Sequence, residues 1–311
     1  MTTNKPYPLA AVAFDGADAA HFLQGQLTIN SETLAANTWR RAAYCSRQGR
    51  MIACGLLLRW ADDDAGQHFL WVMYDDIAAT LASQLQRFVL RAKVKISQPA
   101  LYFSAVVAKE AKTPALPQGS GAIDLYEDTA IARINEGDGS GIIFNRAEMS
   151  PEVWQAQCAQ RQTITADAWQ QNEAQRAVPW VNTATQDMFI PQFLNFDLLG
   201  GVDFEKGCFV GQEVIARLHH LGNVKRRGMV VSATSGGCLS PATVIKTAEG
   251  KTAGEVVNSV ATPQGCIAFA AIVKELAEQE LWAEEHALHI TPPPYPIIEA
   301  EKFKRQKTPN V

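Results

Sequence analysis

Residues 206–213, KGCFVGQE, place a thiol two positions after a lysine and five positions before an acid. The thiolate is the reactive form of cysteine, and a nearby cation favours it by lowering the pKa of the thiol. In an extended segment, side chains two positions apart point to the same face. The spacing therefore predicts that Lys206 approaches the sulfur of Cys208 and makes it a nucleophile or a ligand.

The neighbouring residues of this segment fit the same chemistry. Glycines at 207 and 211 let the backbone turn tightly or come close to a ligand. Gln212 and Glu213 add hydrogen-bonding groups and one negative charge. The candidate catalytic residues are Cys208, Lys206, Gly207, Gln212 and Glu213. An alternative stays open from the residues alone, since free cysteine is among the most buried residue types and Cys208 can be a small core side chain.

The remaining potential ligands give a weaker pattern. Five further cysteines are scattered without a CxxC pair, which argues against a disulfide framework and a zinc ribbon, and packing is the expected role for each: Cys45, Cys54, Cys158, Cys238 and Cys266. His219 and His220 are adjacent, and adjacent side chains rarely face one ion. We expect no metal site.

Composition narrows the class of protein. Hydrophobic residues make up 47% and charged residues 19% of 311 residues, which is typical of a folded chain with more than one domain. A net charge of −4 gives no general attraction to nucleic acid, so direct nucleic-acid binding, as by a regulator that acts on tRNA, is not expected. No signal-peptide or membrane-span pattern is visible, and we expect a cytoplasmic protein without membrane contact.

Several elements are predicted to position the segment. They are a helix over 15–26, a hairpin that turns at 47–49, a strand over 67–74, a helix from Asp75 with Phe88 on its buried stripe, a surface connection over 110–128, and helices from Pro151 and over 166–177. Residues 182–212 have no clear period, and long irregular segments in compact proteins are more often functional than accidental.

Short β-type runs separated by glycine, proline and serine follow Gly228 and predict a small barrel. The predicted fold class is therefore α+β with a C-terminal β-barrel. The predicted division is residues 1–225, with a possible internal break near 110–128, and residues 226–311 for the barrel and tail.

The segment KGCFVGQE resembles the K-G-C-[FY]-x-G-Q-E signature of the YgfZ proteins, a family related to the glycine-cleavage T-protein. Weaker resemblances extend over most of the chain, in QGQLTIN, YCSRQGRM, FIPQFLNFDLLGGVDFEKGC and TAGEVVNSV. The resemblance implies a folate-binding α+β part closed by a C-terminal barrel. It also implies that Cys208 is a functional thiol with Lys206 as its electrostatic partner.

The function implied by the resemblance is that of a tetrahydrofolate-binding accessory protein. Its cofactor is tetrahydrofolate or a one-carbon derivative, and its partners are iron–sulfur enzymes that need cluster assembly or repair, such as a tRNA methylthiolase. The implied folate contacts are Trp169, Asn30 and Arg217, whose guanidinium can hold the carboxylates of a glutamate tail. A tryptophan on a helix is otherwise more often a core residue.

An aminomethyltransferase that moves a one-carbon unit from a lipoyl-bound amine to tetrahydrofolate is the alternative, since it shares the fold. Two departures from the family pattern weaken it. Asn30 stands where the pattern has aspartate, and QRAVP at residues 175–179 replaces E-A-G-x-P. We therefore expect an accessory factor more than a turnover enzyme.

Overall fold

The computed structural model describes residues 7–60, 62–106, 120–126, 129–134, 141–145, 149–161, 163–234 and 238–298. The described strands form one ten-stranded sheet and one closed six-stranded barrel. Within these described ranges, five α-helices and two short 3-10 helices accompany the strands. The described apolar core divides into a large cluster under the sheet, a second at the junction with the barrel, a third inside the barrel, and a small fourth one formed by Val106, Ile131, Ile143 and Trp154.

The sheet contains ten strands: β1 (Leu9–Gly16), β2 (Thr38–Cys45), β3 (Met51–Arg59), β4 (Gln67–Tyr74), β5 (Lys95–Ser97), β6 (Phe103–Val106), β7 (Ser120–Leu125), β8 (Thr129–Arg133), β9 (Gly141–Asn145) and β10 (Thr163–Ile164). Their order across the sheet is β10-β6-β9-β8-β7-β2-β3-β4-β1-β5. The predicted hairpin corresponds to β2 and β3, and the strand over 67–74 to β4. Strand β2 pairs with β7, so the sheet continues into residues 120–125, which lie in the region where an internal break is predicted.

The α-helices are α1 (Ala19–Gln26), α2 (Asp75–Gln86), α3 (Pro151–Gln160), α4 (Ala166–Gln175) and α5 (Gln212–Leu221). Serine caps α3 and threonine caps α4, because Ser150 Oγ accepts from Val153 N and Thr165 Oγ1 accepts from Ala168 N. Such caps satisfy backbone donors that have no partner inside the helix. Both helices begin at the predicted residues, Pro151 and Ala166.

Three predicted boundaries are wrong. Asp15 belongs to β1, and the first helix starts only at Ala19 because Asp15 and its neighbours pair with β4 and β5. Helix α2 ends at Gln86, so Phe88 lies beyond the buried stripe and is 48% exposed. The surface connection predicted over 110–128 contains strand β7, while residues 107–119 and 127–128 lie outside the described residues.

The barrel consists of β11 (Arg226–Ala233), β12 (Val244–Thr247), β13 (Thr252–Thr262), β14 (Gly265–Val273), β15 (Leu281–Ala283) and β16 (His286–Thr291). It closes because β11 pairs with both β14 and β16. The first barrel strand starts at Arg226, and its inward residues include Met229 and Val231. Among the described helices, none is both long and apolar enough to cross a membrane.

Candidate functional site

Lys206 fixes the start of the segment that carries the thiol. Its Nζ donates three hydrogen bonds to backbone carbonyls, those of Gln24 at 2.7 Å, Leu27 at 2.6 Å and Ile29 at 2.8 Å. Its ammonium also lies 5.0 Å from the centroid of the Phe209 ring. An ammonium has three N–H donors, so these carbonyls use all of them. Lys206 therefore anchors residues 206–211, called here the Lys206 loop, to the end of α1.

The cysteine of this loop is open to solvent. Cys208 is exposed, whereas Lys206 is buried. Burial lowers the pKa of Lys206 to about 8, while the nearby carboxylates of Asp203 and Glu32 oppose the shift. The structure thus gives Lys206 a different set of partners from the predicted one. Its ammonium is directed to carbonyl oxygens, and the alternative of a buried Cys208 is wrong.

The two glycines of the loop differ sharply. Gly211 has a φ of 82°, and a Cβ there would lie 2.4 Å from the carbonyl oxygen of Ser46 and 2.8 Å from Cα of Gly49. Gly207 has open space, since a Cβ there would meet no described atom within 4 Å. Gly211 is therefore required for packing on the β2–β3 turn. The steric need predicted for Gly207 is absent from the fold itself.

Gln212 and Glu213 begin helix α5. Gly211 is the N-cap residue, and the amide of Gln212 donates to the carbonyl of Phe209 at 3.2 Å. Glu213 is exposed in the first turn, where a negative charge interacts favourably with the helix dipole. The geometry gives both residues a role in starting the helix that follows the thiol, and a chemical role for either stays a prediction.

Asn30 lies beside the Lys206 loop. Its backbone amide donates to Asp203 Oδ2 at 2.6 Å, and Arg40 forms a bidentate ion pair with the same carboxylate at 2.6 and 2.8 Å. The side-chain oxygen of Asn30 accepts hydrogen bonds from the backbone amides of Glu32 at 3.1 Å and Thr33 at 3.3 Å. Asp203 thus supplies the negative charge of this region, and Arg40 neutralises it.

A second group of polar residues lies in the interior between the sheet and the barrel. Glu173 of α4 accepts a hydrogen bond from Trp180 Nε1 at 2.7 Å, and its other oxygen is 3.8 Å from Arg176 Nη1. Arg41 of β2 is 1% exposed; burial lowers its pKa, and the charge of Glu173 opposes this shift. We call Arg41, Glu173, Arg176 and Trp180 the Arg41 cluster.

Polar atoms in and beside this cluster have no hydrogen-bond partner among the described residues. They are Arg41 Nε and Nη2, Glu173 Oε1, Arg176 Nε and, next to the cluster, Trp169 Nε1. Buried polar atoms in native proteins are almost always paired with protein, water or ligand. The Arg41 cluster therefore has the donors and the acceptor to hold a polar molecule.

The three predicted folate contacts do not share one location. Trp169 is 2% exposed, and its ring contacts Trp180 at a centroid distance of 5.3 Å, which places it beside the Arg41 cluster. Asn30 lies near Asp203, as described above. Arg217 is exposed on α5. The structure thus connects Trp169 with the buried polar atoms and Asn30 with the Lys206 loop.

Tyr295 links the barrel side of the molecule to this interior. Its hydroxyl donates to the carbonyl of Ala177 at 2.7 Å and lies 3.2 Å from Asn195 Nδ2. Ala177 has a φ of 53°, so it keeps a left-handed conformation at the position where the family pattern has glycine. The sequence QRAVP at residues 175–179 therefore keeps, with Ala177, a left-handed turn that the glycine of the family pattern adopts more easily.

The other cysteines and the two histidines mostly have structural roles. Cys45, Cys54 and Cys266 are buried as predicted, but Cys238 is exposed. His219 stacks on Phe204 at a centroid distance of 3.7 Å. Within the described ranges, no three His, Cys, Asp or Glu side chains are grouped so that they could hold a metal ion.

Sequence reasoning missed the Arg41 cluster, although one signal points to it. Residues 39, 41, 43 and 45 of β2 share a face of the strand, and Trp39, Ala43 and Cys45 are all fully buried. An arginine within such a face predicts a buried cation. Its partners on α4 and after it come from about 130 residues later in the chain, and no local pattern joins them.

No family model matches the chain. The tRNA-modifying protein YgfZ of Klebsiella pneumoniae is 26% identical over 233 residues, which are 73% of this chain and 70% of the relative. That of Photorhabdus laumondii is 24% identical over 238 residues, which are 71% of this chain and 70% of the relative. These matches confirm the resemblance that the segment KGCFVGQE suggests.

A solved structure shows the fold. The glycine cleavage system aminomethyltransferase T from Bartonella henselae superposes with a TM-score of 0.68, covers 95% of this chain and 86% of its own, and is 14% identical. The predicted T-protein-like α+β fold with a C-terminal barrel is confirmed. This chain is therefore similar to the YgfZ proteins in sequence and has the fold of aminomethyltransferase T.

Proposed function

We propose that this protein binds tetrahydrofolate, or a one-carbon derivative, and supports the assembly or repair of iron–sulfur enzymes, including those that modify tRNA. The observation that carries the proposal is the set of unpartnered polar atoms in and beside the Arg41 cluster, inside a T-protein-like fold. The similarity to tRNA-modifying YgfZ proteins supports the link to tRNA modification.

The residues around the cluster fit the chemistry of a folate. A pterin ring has N–H groups that can donate hydrogen bonds to a carboxylate. It also has a carbonyl oxygen and ring nitrogens that can accept hydrogen bonds from a guanidinium. Glu173 Oε1 and Arg41 Nε and Nη2 are such groups, and Trp169 and Trp180 offer aromatic surface beside them. Tetrahydrofolate supplies one-carbon chemistry when bound, while these side chains bind and orient it.

The Lys206 loop supports the accessory role. It presents the Cys208 thiol to solvent on a backbone held by Lys206 and by the close packing of Gly211. The open space above Gly207 leaves room for a bulky partner at this thiol. An accessory protein that receives or donates sulfur or a cluster needs a thiol that a second protein can reach.

The environment of Asn30 disfavours turnover as an aminomethyltransferase. The resemblance to the T-protein implies an acid directed at the folate amine. Position 30 instead has an amide whose oxygen caps its own turn, and nearby Asp203 is bound by Arg40. We therefore expect no release of ammonia from a lipoyl-bound aminomethyl carrier, which a coupled ammonia assay measures.

Titration with tetrahydrofolate, followed by tryptophan fluorescence, tests the binding proposal. Trp169 and Trp180 lie beside Glu173, so binding should change their emission, and Trp169→Phe should reduce the change. Glu173→Gln should weaken binding about tenfold or more, because it removes a charged acceptor of N–H groups. Exposed Glu249→Gln is the matched control. Equal affinity of both variants and the unchanged protein would contradict the assignment of the cluster.

Complementation tests the role of the thiol. Cys208→Ala should bind tetrahydrofolate as tightly as the unchanged protein but should not restore a cluster-dependent tRNA methylthiolase in a deletion strain. Cys158→Ala, at a half-buried thiol on α3, is the control. Full restoration by the Cys208 variant would remove this residue from the proposed function, with the folate titration unaffected.

A further inference from the structure

Cys238 and Cys266 form a thiol pair in the barrel, away from the Lys206 loop. Their sulfur atoms are 2.9 Å apart. Cys238 is exposed in the segment between β11 and β12, and Cys266 is buried near the start of β14. Ser259 Oγ lies 3.1 Å from the sulfur of Cys238. The pair thus combines one sulfur that solvent reaches with a second sulfur in direct contact.

Both backbones are fixed by the barrel. Cys266 pairs with Ala233 of β11 and with Ala261 of β13. Leu239, which follows Cys238, is 2% exposed in the barrel core, and its carbonyl accepts a hydrogen bond from Ser259 Oγ. The sulfurs are therefore brought together by packing, before any reaction between them.

Two further cysteines, on neighbouring strands of the sheet, lack this access. Cys45 and Cys54, on β2 and β3, are both fully buried. Burial raises the pKa of both thiols, that of Cys54 to about 12, so almost none of either is thiolate at neutral pH. Cys54 also bonds the backbone, through Pro179 O at 3.5 Å and Val181 N at 3.3 Å. This pair is an internal control for the first.

We propose that Cys238 and Cys266 are a site of reversible oxidation, at which a peroxide converts the two thiols into an intrachain disulfide. The Cys238 thiolate attacks one oxygen of hydrogen peroxide, the O–O bond breaks, and the second oxygen leaves as hydroxide and becomes water on protonation. Cys238 is then a sulfenic acid. The sulfur of Cys266 attacks the Cys238 sulfur, the S–S bond forms, the S–O bond breaks, and the hydroxyl leaves as water with the proton of Cys266.

The electron balance is complete in these two steps. The two thiols lose two electrons, and one peroxide gains them and yields two waters. Thiol–disulfide exchange with a dithiol such as dithiothreitol reverses the reaction. Burial and the contact with Cys238 raise the pKa of Cys266 to about 11, which favours Cys238 as the sulfur that meets the peroxide.

The bond would enclose strands β12 and β13 between its two ends. A cross-link restricts the unfolded chain and so stabilises the folded one, by an amount that grows with the logarithm of the length of the closed loop. Oxidation should therefore raise the midpoint of thermal unfolding, by about 5 °C for a loop of this length. The stability of the barrel would therefore depend on whether its surroundings are oxidising or reducing.

Peptide mapping of the full-length protein after treatment with hydrogen peroxide tests the proposal. Trypsin should yield two peptides joined by a disulfide, those of residues 228–246 and 252–274. Addition of dithiothreitol should separate them. Cys266→Ser should stop at the sulfenic acid, so that dimedone labels Cys238 at least about tenfold more than in the unchanged protein. Cys45 and Cys54 should stay reduced throughout.

Three outcomes would overturn the proposal. The first is that both thiols stay reduced while free glutathione in the same tube is oxidised. The second is equal dimedone labelling of Cys238 with and without Cys266. The third is a Cys238 disulfide to a second chain in place of the intrachain bond. If Cys266→Ser is unstable, Cys238→Ser provides the same test, because peroxide should then leave Cys266 as a thiol.

Discussion

The Lys206 loop and the Arg41 cluster each bury a cation, but the two cations differ in how many hydrogen-bond partners the chain provides. Lys206 donates to three carbonyl oxygens, so the chain itself satisfies the ammonium. Arg41 has two nitrogen atoms without a hydrogen-bond partner among the described residues. In the first region the chain itself supplies every partner of the cation, and a thiol is exposed beside it. In the second, described residues leave polar atoms without a partner, as our proposal of a bound folate requires.

Replacing the cation of the loop should have the largest effect. Lys206→Met leaves three carbonyls without this donor, two of them in buried hydrogen bonds, at about 1 kcal/mol or more each, so the free energy of unfolding should fall by about 3 kcal/mol. Chemical denaturation measures this, with exposed Lys225→Met as the control. A loss below about 1 kcal/mol would show that the carbonyls find water instead.

The glycines of the loop should separate packing from access. Gly211→Ala requires a left-handed alanine and a shift of the Ser46 backbone, and should cost about 2 kcal/mol. Gly207→Ala meets open space and should change stability by less than about 0.5 kcal/mol. Equal losses in denaturation experiments would contradict the different surroundings of the two glycines. If Gly207→Val is stable but fails complementation, the open space beside Gly207 is needed for contact with a partner and not for folding.

The same replacement in the cluster should have a much smaller effect on stability. Arg41→Met removes a buried guanidinium whose Nε and Nη2 have no hydrogen-bond partner among the described residues, and which Glu173 attracts and Arg176 repels. The ligand-free protein should therefore stay within about 1 kcal/mol of the unchanged protein, or exceed it. Its affinity for tetrahydrofolate should fall. A loss of stability as large as that of Lys206→Met would show that the two buried cations contribute equally to stability, against the difference inferred here.

The loop should also show a pH dependence of its stability. The pKa of Lys206 is lowered to about 8, so above this pH the folded chain releases a proton that the unfolded chain still holds. The unchanged protein should gain stability relative to Lys206→Met as pH rises from about 8 toward the ordinary lysine value. Groups common to both proteins cancel in this difference. A flat difference between pH 7 and 9.5 would mean that the three carbonyls keep the ammonium charged.

The sequence is informative where one stretch of chain decides the outcome. The segment around Cys208, the β2–β3 hairpin, the caps at Ser150 and Thr165, and the barrel strands all follow from local residue types and spacing. Partner choice does not follow in this way. The direction of the Lys206 ammonium is decided by carbonyls of residues 24–29, which no pattern near residue 206 reveals.

The same reason explains the missed interior. Arg41, Glu173 and Arg176 belong to a strand and a helix that meet only in the folded chain. Each is an ordinary charged residue in its own segment, and burial alone makes them unusual. The helix boundary after Gln86 was missed because the periodic apolar pattern continues past it to Phe88, while the backbone leaves the helix.

The anchoring of Lys206 also has a consequence for the order of folding. Its three acceptors lie 182, 179 and 177 positions earlier in the chain. Closing so long a loop costs entropy that a few hydrogen bonds do not repay, so these bonds form only after the intervening sheet has brought both segments together. During synthesis the carbonyls of residues 24–29 leave the ribosome long before the lysine. In a chain that stalls or misassembles in between, the loop that carries Cys208 is not anchored, so the thiol takes its place at the surface only in fully folded molecules.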